Sequence, residues 1–235
     1  MNRITIVQAR TGSQRLPGKA LMMVGNRTVL EWVLYRVRLA KVGYTVVATT
    51  TDRRDDAIAQ LCDRLRVPCY RGSPDDVLDR YHRIATAAFA QSVIRVTADC
   101  PLLCPVLLNE TVTAFSGFKV HYSSVDRAPN GLAQEVISAR ALKNAWHNAD
   151  SPYDREHVVT WTLSHENRWR QAWVKSSPLL RDRAGWRLTI DTRDDLRLLR
   201  RLHKMTHGDV FRMTNERLIE TVEADRVALE LATSG

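Results

Sequence analysis

The chain contains no Cys-x-x-Cys pair, no His-Glu-x-x-His, no Gly-x-Ser-x-Gly and no Gly-x-Gly-x-x-Gly. Their absence removes support for a zinc protease, a nucleophile-elbow hydrolase and a dinucleotide-dependent redox enzyme. The four cysteines, Cys62, Cys69, Cys100 and Cys104, do not alternate with His at zinc-ligand spacing and read as buried thiols. No apolar stretch approaches the roughly 20 residues that span a bilayer. The start also lacks the apolar core of a signal peptide, so the expected compartment is a reducing cytoplasm. Neither an aromatic-interleaved RNA-binding motif nor zinc-finger spacing is found.

What the chain has in excess is positive charge. Thirty-five Lys and Arg against 26 Asp and Glu give a formal net charge of +9, which favours a polyanionic partner: nucleic acid, an anionic membrane or a charged metabolite. The arginines are dispersed rather than gathered in a tail, which ranks nucleic-acid binding second. At 235 residues the chain is most simply one α/β domain with an excursion.

The richest segment lies near the start. Ile4-Thr5-Ile6-Val7 reads as a strand and passes directly into Gln8-Ala9-Arg10-Thr11-Gly12-Ser13-Gln14-Arg15-Leu16-Pro17-Gly18-Lys19. Such a strand-to-loop junction presents backbone N–H groups and cations to a polyphosphate. A Walker A loop has four residues between its glycines and Ser or Thr after the lysine. Here five residues separate Gly12 from Gly18, and Ala20 follows Lys19. An ordinary P-loop kinase or ATPase is therefore excluded.

Further along, Thr28-Val29-Leu30-Glu31 has capping-box spacing and opens a helix. Thr45 to Thr50 reads as a strand, after which Asp52 caps a helix burying Ile58, Leu61 and Leu65. Ser73-Pro74-Asp75-Asp76 predicts a helix start, with Val77, Leu78, Tyr81, Ile84 and Ala85 on one stripe. Val93 to Thr97 is a strand ending at Asp99. This alternation predicts a largely parallel sheet covered on both faces. Past about residue 115 the rhythm is lost: 119–138 read as extended segments around Pro129-Asn130-Gly131, and 154–166 as a helix. Strands are expected at 171–175 and 186–190, a helix from Thr192-Arg193-Asp194-Asp195, and a last helix from Thr214 towards the end.

Asp99 and Asp191 each follow a predicted strand. In a parallel sheet the ligand crevice lies beyond the carboxyl ends of the strands, so both carboxylates are expected to converge on the loop after Val7. Two carboxylates completed by phosphate oxygens and water suit magnesium on a nucleoside triphosphate.

On these residues the chain resembles the cytidylyltransferases, in particular the spore-coat polysaccharide protein F branch, related to the synthetases that join CMP to sialic acid and to 3-deoxy-manno-octulosonic acid. The matching segments are Gln8-Ala-Arg10-x-Gly12-Ser-x-Arg15-Leu-Pro-Gly18-Lys19, Ala48-Thr-Thr-Thr51, Arg71-Gly-Ser-x-Asp-Asp76-Val-Leu-x-Arg80-Tyr81, Arg95-Val-Thr-x-Asp99-Cys-Pro-Leu, Asp154-Arg-Glu-His157-Val and Ile190-Asp191-Thr. The resemblance implies a three-layer, Rossmann-like nucleotide-diphospho-sugar transferase fold: a single α/β domain over 1–235, with an inserted lid or dimer-contact region at about 117–170. It implies transfer of CMP from CTP to a small acidic sugar or sugar-phosphate-like acceptor with release of pyrophosphate, for surface polysaccharide or glycoconjugate synthesis. A related enzyme using a phosphonate or polyol phosphate, and a non-catalytic nucleic-acid-binding scaffold, are the alternatives.

The implied catalytic residues are Arg15, Lys19, Asp99 and Asp191, with Mg²⁺ on Asp99 and Asp191. Gln8, Ala9, Arg10, Gly12, Ser13, Arg15, Lys19, Thr50, Arg71 and Asp99 are implied to meet the nucleotide. Arg80, Glu135, Arg155 and His157 are implied to meet the acceptor. A homodimer with no membrane partner is expected. Where relatives read Pro-Asp-Gly-Leu-Asp-x-Glu, this chain has Pro129-Asn130-Gly131-Leu132-Ala133-Gln134-Glu135, two acidic side chains fewer in a part implied to face the acceptor.

Overall fold

Ile4, Ile6 and Val7 bury strand β1 (Arg3–Gln8) on both faces, as a central strand between helical layers requires. The structure, a computed structural model, describes residues 2–233. After the loop, a hairpin of β2 (Met23–Val24) and β3 (Arg27–Thr28) delivers the chain to α1 (Val29–Ala40), where Thr28 and Glu31 close the expected capping box. There follow β4 (Tyr44–Thr50), α2 (Asp56–Arg64), β5 (Cys69–Gly72), α3 (Val77–Ala87) and β6 (Ser92–Thr97). The middle of the chain forms α4 (Pro105–Gly117), β7 (Tyr122–Asp126), β8 (Glu135–Ser138), α5 (Ala139–Asn148), α6 (Pro152–His157), α7 (Thr160–Leu163) and β9 (Gln171–Lys175). The last part forms α8 (Pro178–Arg181), α9 (Arg193–Met205), α10 (Asn215–Glu223) and α11 (Arg226–Thr233).

One sheet in the order β5-β4-β1-β6-β8-β7-β9 organises these elements. Its pairings are parallel except where β8 runs antiparallel to both neighbours. The mostly parallel α/β architecture is the one expected. One face buries Val7, Val47, Ile94 and Val96 against Leu30, Val33 and Phe115. The other buries Ile6, Val93 and Ile137 against Val77, Tyr81, Ala141 and Leu142. A further cluster joins α9 and α10 to α1, where Trp32 stacks on Phe211 with ring centroids 3.7 Å apart and donates to the Val24 carbonyl at 3.0 Å. Among the described residues no helix is long and apolar enough to cross a membrane.

Several boundaries differ from the sequence reading. Residues 73–76 are a turn, and α3 begins only after Asp76, whose side chain accepts from the Asp79 N–H at 2.8 Å. Arg80 binds the carbonyls of Ser73 and Pro74, so those groups serve a side chain instead of a helix ladder. The helix expected over 154–166 divides into α6 and α7 at Val158, whose φ of 63° breaks the ladder. A β-branched residue is strained there. Residues 186–190 are not a sheet strand: the segment makes a single isolated bridge, Asn130 to Arg187, and pairs with no strand of the sheet. The helix expected from Thr214 is two helices, α10 and α11. Helices α4 and α5 were not anticipated.

This segment matters for the site. Gly131, at φ 101°, lies so close to it that a Cβ would fall 2.9 Å from the Leu188 backbone. A side chain is excluded there on both counts. The contact lets the Leu188 N–H reach the Asn130 carbonyl at 2.8 Å, and two residues on the Ile190 N–H reaches the Asp99 carbonyl at 2.8 Å. Asp191 is thereby brought beside Asp99.

Candidate active site

A cavity of about 590 Å³ opens beyond the carboxyl ends of β1 and β6. Its wall is the cationic loop on one side, with Thr97, Asp99 and Asp191 across from it and Val77, Arg80, Glu156 and His157 at the flank. The loop is fixed by anchors at its ends. Leu16 and Ala20 are buried in the two adjoining cores, and the Gly18 N–H, from a residue at φ 72°, closes onto the Thr11 carbonyl at 2.8 Å. Asp55, itself buried, accepts from the Thr11 N–H at 2.7 Å and from its hydroxyl at 2.6 Å, while Thr50 donates to its other oxygen. The loop's shape therefore depends on a carboxylate delivered by the turn after β4.

At the centre, the Lys19 ammonium lies 2.7 Å from Asp99 Oδ2 and 2.8 Å from Asp191 Oδ1. Arg15, still largely exposed, approaches the same Asp191 oxygen at 3.2 Å. Burial alone pushes the Asp99 carboxyl up, but the Lys19 charge and hydrogen bonds from Lys19, Thr97 and Cys100 outweigh it and hold the group below the usual carboxylate range. Burial likewise pulls the Lys19 ammonium down, and the two carboxylates overturn that and raise it. Asp195 completes the arrangement: its buried carboxylate accepts from the Asp191 and Thr192 N–H groups at 2.8 and 2.7 Å and from Arg187 at 2.7 Å.

Of the residues implied to bind the nucleotide, Gln8, Ala9, Arg10, Gly12, Ser13, Arg15, Lys19 and Asp99 line the cavity. Thr50 and Arg71 do not. Thr50 is buried and holds Asp55, and Arg71 binds the carbonyls of Thr50 and Asp52 and the Asp56 carboxylate. Of the residues implied to bind the acceptor, Arg80 and His157 line the cavity and Glu135 and Arg155 do not. Glu135 sits opposite Arg95 in the β6–β8 register, 2.5 Å from its guanidinium, and accepts from the Tyr122 hydroxyl at 2.7 Å. Arg155 braces α5, donating to the Ala149 and Trp146 carbonyls at 2.8 and 3.0 Å and meeting Asp76 at 3.3 Å. Both corrections have one cause: each charge already has scaffold partners.

Sequence reasoning missed Asp55, Asp195, Gln14 and Thr97, and within the Asp154-Arg-Glu-His157 segment it gave no role of its own to Glu156. The last is 2.6 Å from Arg10 across the cavity mouth. Asp195 at the third position of the Thr192 capping box and Asp55 three residues after the Asp52 cap were the signals at hand. The departures at Asn130, Ala133 and Gln134 lie off the cavity wall: Asn130 bridges to Arg187, Ala133 packs among apolar residues, and the Gln134 amide donates to the Ala133 carbonyl at 2.5 Å.

The donor set fits a hard divalent cation. Asp99 and Asp191 both reach one nitrogen, so one cation can span them, and among the described residues no group of three or more His, Cys, Asp or Glu gathers as a self-sufficient metal cage. Magnesium commonly takes one or two carboxylates and completes its shell with phosphate oxygens and water.

A family profile described as Cytidylyltransferase matches residues 4–220. A protein of Methanocaldococcus jannaschii is 36% identical over 224 residues, 95% of this chain and 91% of its own length. The spore coat polysaccharide biosynthesis protein SpsF of Bacillus subtilis is 31% identical over 205 residues, 85% of each chain. A solved cytidylyltransferase from Leptospira borgpetersenii superposes with a TM-score of 0.88 at 25% identity, covering 100% of this chain and 98% of that one.

Proposed function

Because the chain belongs to the cytidylyltransferase family, we propose that its cavity moves CMP from CTP to a small anionic acceptor, an acidic sugar or sugar phosphate, with release of pyrophosphate. One observation carries this reading: a lysine on a loop rich in cations, held between two carboxylates at 2.7 and 2.8 Å at the cavity wall. That arrangement sets side by side the cationic and anionic groups that a metal-bound triphosphate calls for.

In the proposed reaction an acceptor oxygen, either an already ionised phosphate oxygen or a sugar hydroxyl whose proton passes to solvent, attacks the α-phosphorus of CTP. The new P–O bond forms as the bond to the β-phosphate bridging oxygen breaks, and the electron pair leaves with pyrophosphate. Phosphoryl-type transfers leave the protein mainly positioning and charge neutralisation. Lys19 and Arg15 offset charge on the departing pyrophosphate, Arg15 through a planar fork that meets two oxygens at once. Asp99 and Asp191 would hold the cation, whose chemistry when bound is Lewis-acid polarisation of phosphate oxygens. Of the acceptor residues, His157 and Arg80 line the remaining wall, Arg80 with its guanidinium already on the Ser73 and Pro74 carbonyls.

The relation to SpsF supports a role in surface polysaccharide or glycoconjugate synthesis; a homodimer, with residues at about 117–170 as lid or dimer contact, is proposed with it. The test is a pyrophosphate-release screen with four nucleoside triphosphates and Mg²⁺ against acidic sugars, sugar phosphates, phosphonates and polyol phosphates. Release with CTP and an acidic sugar or sugar phosphate is expected. Release only with phosphonates or polyol phosphates reassigns the acceptor. No release from any triphosphate, together with DNA binding that falls steeply with salt, overturns the reading.

A further inference from the structure

We propose that Lys19 makes divalent-cation binding at Asp99 and Asp191 conditional on the nucleotide: the cation enters only with phosphates that draw Lys19 away. The inference rests on the reading of those two aspartates as cation ligands. Its ground is the local charge balance. Two carboxylates face two cations, Lys19 at 2.7 and 2.8 Å and Arg15 at 3.2 Å from Asp191. A bare dication therefore meets a cluster with no net charge to attract it.

The bonding pattern adds a second obstacle. Asp99 Oδ2 and Asp191 Oδ1, the two oxygens that share one nitrogen, are both occupied by Lys19, and Arg15 shares the latter. The outward alternatives are engaged too: Asp191 Oδ2 accepts from the Thr189 hydroxyl at 3.3 Å and Asp99 Oδ1 faces the Cys100 thiol at 3.5 Å. Lys19 is only 14% exposed, so water does little to loosen it. Without competing anions, the ammonium occupies the position a bridging cation requires.

A triphosphate reverses the balance. Lysine carries its charge on a flexible four-carbon stem, whereas the backbone of Lys19 is set by the short turn that follows Gly18. The side chain moves to the phosphates while the carboxylates stay, held through the Ile190–Asp99 backbone bond and by Asp195. With the exposed Arg15 turning to the phosphates as well, two unpaired negative charges then face the cation that accompanies them. Lys19 thus keeps the carboxylates in register before the substrate arrives and excludes a free cation from them.

The experiment is Mn²⁺ binding to the full chain, followed by electron paramagnetic resonance, with and without CTP and in the absence of acceptor. Wild type, Lys19→Met and Lys19→Arg are compared after their folding is checked by circular dichroism. Lys19→Gln, which keeps a donor, replaces Lys19→Met should that variant fail to fold. The expected result is that wild type and Lys19→Arg bind Mn²⁺ tightly only with CTP, and that Lys19→Met binds Mn²⁺ alone roughly 10–100-fold more tightly than wild type, the range in which neighbouring groups tune metal affinity. Equal binding of Mn²⁺ alone by wild type and Lys19→Met overturns the gating and leaves the cation reading standing. No binding by any form even with CTP overturns both.

Discussion

Two sets of charged side chains in this molecule have similar composition and opposite surroundings. Arg15, Lys19, Asp99 and Asp191 meet one another at the wall of an open cavity. Arg71, Arg155 and the Arg95–Glu135 pair direct their charge at carbonyls, a tyrosine hydroxyl and carboxylates of the scaffold. The first set has partners that a ligand can replace. The second has partners that belong to strands and helix ends, so its charge holds the sheet and its neighbouring helices in place. The difference teaches that a charged residue in a shared motif is informative about chemistry only once its competing backbone acceptors are known.

The sharpest way to break this division is at the cavity. Changing Asp99→Asn and Asp191→Asn together should lower pyrophosphate release from CTP by roughly 10²–10³-fold, the scale of losing a preorganised charge at a reacting phosphate. The fold should persist, because Asn keeps the shape and neutralises charge that faces the cavity. Turnover at the wild-type level would place the chemistry elsewhere. Next in size, Arg15→Lys should reduce kcat/KM for CTP by about tenfold, since a point charge replaces a two-pronged donor. Its melting temperature should stay near that of wild type, because the side chain is 64% exposed.

Asp55→Asn probes a group between the two sets: it never lines the cavity, yet it holds the loop through Thr11. The expected outcome is a KM for CTP raised several-fold with a smaller change in kcat, and a stability loss of about 1–3 kcal/mol from the weakened charged hydrogen bonds. Urea unfolding with steady-state kinetics checks both. The smallest effect on turnover should come from Glu135→Ala. Removing one partner of the half-buried Arg95 pair is expected to cost about 3 kcal/mol of stability, while turnover per folded molecule stays the same. Lost turnover at unchanged stability would move Glu135 into the first set.

The sequence made legible what depends on local order. A β-branched strand running into a cationic loop, caps at Thr28, Thr192 and Thr214, and the aspartate just past β6 all correspond to features of the structure. What it hid depends on partners distant in the chain. The 186–190 run is β-like in composition yet joins no strand of the sheet, because its bonds go to Asn130 and Asp99 instead of to a neighbouring strand. That path, made possible by the close approach at Gly131, sets Asp191 beside Asp99. Glu135 illustrates the converse: its motif is local, but the residue opposite it in the sheet, Arg95, is 40 positions away and decides where its charge goes.

The most direct test of the central claim is a crystal structure with Mn²⁺ and CTP, using anomalous scattering to locate the metal. Anomalous density ligated by both Asp99 and Asp191, with the Lys19 ammonium transferred to the phosphates, is the predicted result. Manganese bound away from these aspartates, or Lys19 still bridging them with the nucleotide in place, would contradict it.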